Sequence, residues 1–152
     1  MRKIAGALLA VVLFGAPVSG QETEEIQFSK ENVQAERRSI IRNNVQLTET
    51  EARAFWPLYE KYRAELNEVD NQRVRLIREF AESYQALSDE KALELLSEFF
   101  KFKEAKIELQ TAYIAKFSAF LPGKKVMRYY QVEHLIDTRL DYDLTRAIPL
   151  VK

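Results

Sequence analysis

The chain has 152 residues, with 23 basic and 23 acidic side chains, one histidine and no cysteine. Balanced charge gives no long-range pull toward nucleic acid or anionic lipid, and without cysteine there is no disulfide framework, thiol nucleophile or thiolate metal site. Three of the four glycines, Gly6, Gly15 and Gly20, fall in the first 20 residues, so the rest of the chain has only Gly123 for the phosphate loops, dinucleotide-binding turns and nucleophile elbows that require this residue, and those enzyme classes are excluded.

The opening MRKIAGALLAVVLFGAPVSGQ places two cations before an apolar run, Ile4 to Phe14, followed by small residues with Val18 and Gly20 at the positions a signal peptidase reads. The run is much shorter than the roughly 20 residues that span a bilayer. Residues 1–20 are therefore expected to be a cleaved secretory signal rather than an anchor, and the mature protein periplasmic. Losing Arg2 and Lys3 leaves 21 of the 23 basic side chains against 23 acidic ones. Residues 21–28 are polar and lack a cap, which predicts a flexible leader. Residues 29–152 are then long enough for a single helical domain.

A first helix is predicted from Ser29 to about Asn44, with Val33, Ile40 and Ile41 on one side and Arg37, Arg38 and Arg42 nearby. The next stretch, Leu47-Thr48-Glu49-Thr50-Glu51, has the form of a capping box, in which the Thr48 hydroxyl accepts from the Glu51 amide and Glu51 reaches back to the Thr48 amide. From there Phe55, Tyr59, Tyr62, Leu66, Val69, Arg73, Leu76 or Ile77, Phe80 and Tyr84 keep helical spacing to roughly Ala86, a rod of roughly 55 Å. Pro57 either bends this helix, by removing the bond to the Arg53 carbonyl, or marks a fresh start. Phe55, Tyr59 and Tyr62 share one face and are expected in the core. The placement of Trp56 stays open.

Leu87-Ser88-Asp89-Glu90-Lys91-Ala92 has the same kind of start, 40 positions on. Two amphipathic helices with similar caps explain that likeness as well as duplication does, and a solenoid needs at least three copies. The third helix should reach Phe120, before the break at Leu121-Pro122-Gly123. A fourth carries Val126, Tyr129 or Tyr130, Ile136 and Leu140, and ends before Ile148-Pro149. No strand pattern is present. The expected fold is all-α: four helices, two of them long, packed antiparallel through short connections.

The third helix carries too much apolar surface for one contact. Leu93, Leu95, Leu96, Phe99, Phe100, Phe102, Ile107, Leu109, Tyr113, Ile114, Phe117, Phe120 and Leu121 cover about 200° of its circumference, where one packing contact needs about 100°. Lys103 and Lys106 fall inside this arc, where their stems can lie along it while the ammonium groups reach water. Leu96, Phe99, Phe100, Phe102, Lys103, Lys106 and Ile107 are therefore the candidate client or dimer surface, the alternative being a helix buried on both sides within one chain. Asp70 with Arg73 is the expected charge pair on the second helix. Tyr130, His134, Asp137 and Asp141 fall on one helix face, but a lone histidine with two aspartates is a poor ligand set. No catalytic residues, cofactor or metal are expected, since no carboxylate pair is marked by spacing as an acid and base.

The signal, the scarcity of glycine, the four helices and the Leu-Thr-x-x-acid start of the long second helix resemble the Spy and CpxP family of periplasmic proteins, recognised by Leu-Thr-x-x-Gln motifs. Leu47, Thr48 and Glu51 match the first motif, with glutamate in place of glutamine. Of the second motif, at Leu121-Pro122-Gly123-Lys124-Lys125, only Leu121 matches. The resemblance implies a thin, curved homodimeric cradle acting as an ATP-independent chaperone for unfolded or stressed envelope proteins, or as an envelope-stress signalling adaptor with one sensor or regulator as partner. Export and balanced charge argue against a nucleic-acid partner, and the short apolar run argues against stable membrane insertion after cleavage. The histidines of metal-sensing members are lacking.

Overall fold

The computed structural model describes residues 35–151. The signal, the leader and the start of the first helix with Val33 lie outside the described residues. Residues Arg37–Lys152 form one compact unit. Within the described residues the fold is all-α: α1 over residues 35–45, α2 at Glu49–Ser83, α3 at Asp89–Ser118 and α4 at Gly123–Ala147, with a 3-10 turn at Tyr84–Ala86 extending α2. Among these residues no helix is long and apolar enough to cross a membrane.

The caps form as their residue types dictate. The Thr48 amide donates to Glu51 Oε2 at 2.7 Å and the Glu51 amide donates to Thr48 Oγ1 at 3.2 Å, a complete capping box. The Lys91 amide donates to Ser88 Oγ at 3.2 Å, with Asp89 and Glu90 against the positive end of the α3 dipole. Pro122 precedes the first residue of α4, and its carbonyl accepts from the Lys125 and Val126 amides at 2.8 and 3.1 Å. Helix α2 runs unbroken through Pro57, which is exposed, so water can reach the Arg53 carbonyl that loses its donor. The proline therefore does not restart the helix. Between α1 and α2, Gln46 takes a φ of 55°, a left-handed turn more usual for glycine.

Contacts between side chains set the directions. Phe55 meets Phe117, Tyr62 meets Tyr113, and Asp70 meets Lys106, so α2 and α3 are antiparallel. Helix α4 returns along α2: Lys125 reaches Glu51, Tyr129 reaches Phe55, and Asp141 reaches Arg73. At one end, Phe55, Tyr62, Phe117 and Tyr129 are sealed from solvent together with Ile41 and Val45 of α1. Centroids of Phe117 and Tyr129 lie 4.9 Å apart and those of Tyr62 and Tyr113 also 4.9 Å, within the range of favourable ring packing. Trp56 is half-buried at the edge of this core, beneath Arg38 and Arg42, whose guanidinium carbons lie 4.3 and 5.7 Å from its ring.

The expected Asp70–Arg73 pair does not form. Asp70 instead accepts from Lys106 of α3 at 3.4 Å, and Arg73 pairs with Asp141 of α4. Neighbours on one helix remain largely hydrated, whereas partners on facing helices are held together by the packing around them.

Candidate functional site

The residues of the Leu-Thr-x-x-acid motif and its partner gather at the closed end of the bundle. Leu121 is buried, Leu47 packs against the core, and Lys125 Nζ donates to Glu51 at 2.5 Å, which joins the start of α2 to the start of α4. The bond from Lys125, reinforced by the Thr48 amide, holds the Glu51 carboxyl below the usual carboxylate range. This cluster anchors two helix starts. Its polar groups are already satisfied, which makes it a structural joint rather than a ligand site.

The candidate surface on α3 divides among three surroundings. Phe102 is 1% exposed and faces α2, so it is core. Lys106 also turns inward, 3.4 Å from Asp70 and 3.5 Å from Asp137, rather than snorkelling to water. Those carboxylates draw it in, because a cation beside two anions needs less of its hydration shell. Phe100 and Ile107 point the other way. With Leu93 and Ile114 they make a row in which each side chain follows the last by seven positions and is exposed by 67%, 58%, 60% and 44% in chain order. This row lies about 200° round the helix from Leu95 and Phe102 and is about 30 Å long. Helix α3 therefore has two opposed apolar faces, and the bundle covers one.

Leu96, Phe99 and Lys103 belong to a third setting, an apolar cavity of about 460 Å³ near the turn between α2 and α3. Leu76, Ile77 and Phe80 of α2 form one wall and Leu95 and Phe99 of α3 a second. Ile148 to Val151, beyond α4, form the third wall. The Tyr84 hydroxyl donates to the Leu150 carbonyl at 3.0 Å and pins that segment. The cavity's participation was not evident from sequence, because it depends on where residues beyond the fourth helix come to rest.

A buried charge cluster is the other feature that spacing did not reveal. Arg37, which the sequence places near the apolar side of the first helix, is sealed between Glu133 and Asp137 of α4, and donates to Asp137 Oδ1 at 2.8 Å. Arg63 Nη1 approaches Glu133 at 3.9 Å, near enough for charge attraction but not for a hydrogen bond. Burial pushes Glu133 above the ordinary glutamate value, despite Arg37 and Arg63. For Asp137 burial acts in the same direction, but Arg37 and Lys106 together outweigh it and hold the carboxyl below its ordinary value. Asp137 and Asp141 are thus occupied by cations and His134 is exposed, so the four-residue face on α4 is not assembled around a metal. No group of three or more potential metal ligands occurs among the described residues.

No protein-family model, curated protein or solved structure matches the chain.

Proposed function

We propose that this protein is a periplasmic, nucleotide-free, chaperone-like protein of the Spy and CpxP type, which covers exposed apolar segments of unfolded or stressed envelope proteins and works as a homodimer. The observation that carries the reading is the outer row of α3, Leu93, Phe100, Ile107 and Ile114, left open by the bundle. Apolar side chains in such a line favour contact with another apolar surface, because each one withdrawn from water contributes about 1.5–3 kcal/mol when fully buried. Lys101, Glu94 and Glu108 beside the row keep the surface hydrated between encounters. The secretory signal and the capped Leu-Thr-x-x-acid start add to the resemblance on which the cellular setting rests.

Suppression of aggregation of a model client, measured together with oligomeric state, tests this reading. Wild type is expected to slow aggregation at near-stoichiometric amounts, and Phe100→Asp to weaken suppression, dimerisation or both while keeping the helical content of the monomer. No effect of wild type at several-fold excess overturns the reading.

The regularity of the same row favours a second reading. A seven-residue spacing suits a single helical partner packed along α3, as an adaptor to one envelope sensor or regulator would require. Capture from periplasm separates the two: one stoichiometric partner supports the adaptor, and many envelope proteins support the chaperone.

A further inference from the structure

The cavity beside the α2–α3 turn is apolar over most of its wall but has three charged groups, and they are not equivalent. Arg73 and Asp141 pair with each other and cancel. Lys103 makes no ion pair among the described residues, and its Nζ lies 5.3 Å from the ring centroid of Phe99, which lines the same cavity. The cavity thus carries one uncompensated positive charge at the edge of a greasy chamber. A volume of about 460 Å³ falls in the range of roughly 300–1,000 Å³ that holds a small molecule.

We propose that this cavity binds a long-chain fatty acid, with the alkyl chain between α2 and α3 and the carboxylate on Lys103. The apolar walls account for the chain: each methylene removed from water contributes about 0.8 kcal/mol. Lys103 accounts for the sign of the head group, since a buried or half-buried cation is stabilised by an anion it can hydrogen-bond. The segment Ile148–Val151 closes one side, and Leu150 is 88% exposed, so the chamber opens to solvent at that rim. This site is separate from the outer row of α3: Phe100 does not line it.

Fluorescence titration with cis-parinaric acid and its displacement by palmitate test the assignment on the full chain. Saturable binding at one equivalent is expected, together with at least about tenfold weaker binding of the uncharged hexadecanol, the effect of losing about 1.4 kcal/mol. Lys103→Glu is expected to weaken palmitate by about tenfold or more and to favour hexadecylamine instead. Ala92→Phe, which fills the chamber from α3, is expected to abolish binding of both, and Phe100→Asp to leave palmitate binding unchanged. Helical content measured by circular dichroism identifies any variant that fails to fold, and the comparison of acid with alcohol on wild type then decides alone. Absence of saturable binding overturns the proposal, as does equal affinity for acid and alcohol. Binding confined to a lysophospholipid, with palmitate excluded, also overturns it.

Discussion

The two ends of the bundle are built from the same helices but on different terms. Where α1 joins α2, α3 and α4, ring packs on ring, and Phe55, Tyr62, Phe117 and Tyr129 lose contact with water altogether. Toward the α2–α3 turn α1 is absent and α4 gives way to an extended segment. There Leu95 is the only buried side chain of α3 before Phe102, and a chamber remains. Four helical surfaces enclose large aromatic rings, whereas α2, α3, the last turns of α4 and a strap leave gaps. Stability is therefore concentrated at the closed end, and the open end keeps the chamber.

Deleting a ring at each end should expose that contrast most strongly. Phe117→Ala, at the meeting point of three helices, is expected to cost about 3–5 kcal/mol, whereas Phe99→Ala, on the half-open chamber, should cost about 1 kcal/mol. Urea denaturation of both variants measures the difference, and equal costs would dissolve the distinction between the ends.

Arg37→Leu addresses the charge cluster beside the closed core. It leaves Glu133 buried with Arg63 as its nearby cation and the Tyr129 hydroxyl 3.4 Å away, and a loss of about 3 kcal/mol is expected, at the low end for a broken buried pair because one cation remains. The same measurement reads it.

Asp137→Asn should cost about 2 kcal/mol at pH 7, and its cost depends on pH. Because the fold holds the Asp137 carboxyl below its ordinary 3.8, its stabilisation is full above that value and disappears as pH falls through the lower, folded-state value. Glu133 acts in the opposite sense: burial raises it above 4.5, so its protonation favours the folded state as pH falls. Wild type and Asp137→Asn should therefore draw together in stability as pH falls below 3.8 while differing at pH 7, as thermal unfolding across an acid pH series would show. A constant difference would mean that Asp137 is not held by charge.

Thr48→Ala removes one side of the capping box at the start of α2 and is expected to cost about 1 kcal/mol. The effect should be read at the closed end, by hydrogen exchange of the Glu51 amide, with the chamber unaffected. Spreading of faster exchange to the α2–α3 turn would show that the two ends are coupled.

Several elements were legible residue by residue. Thr48 and Glu51, Ser88, and Pro122 with Gly123 mark helix starts through local hydrogen bonds and backbone restrictions, and those depend on neighbours in sequence alone. Phe55, Tyr59 and Tyr62 announce a core face by spacing. The inward turn of Phe102 and Lys106 and the sealing of Arg37 were not legible. A helical wheel gives each side chain an angle about its own axis but not the distance to a facing helix. Spacing alone makes Lys106 an outer cation, because its two carboxylates, Asp70 and Asp137, lie 36 and 31 positions away, on other helices.

By itself, the order of residues determined that this is an all-helical protein with long second and third helices, and that the third has more apolar circumference than one contact can use. Local periodicity and caps suffice for that, because they act within a few residues. Only tertiary structure decided which half of that circumference is hidden, which cations become buried, and that a chamber forms beside Lys103. Those outcomes depend on how far apart the helix axes settle and where the chain beyond α4 comes to lie, and both follow from the fit of side-chain volumes across helices.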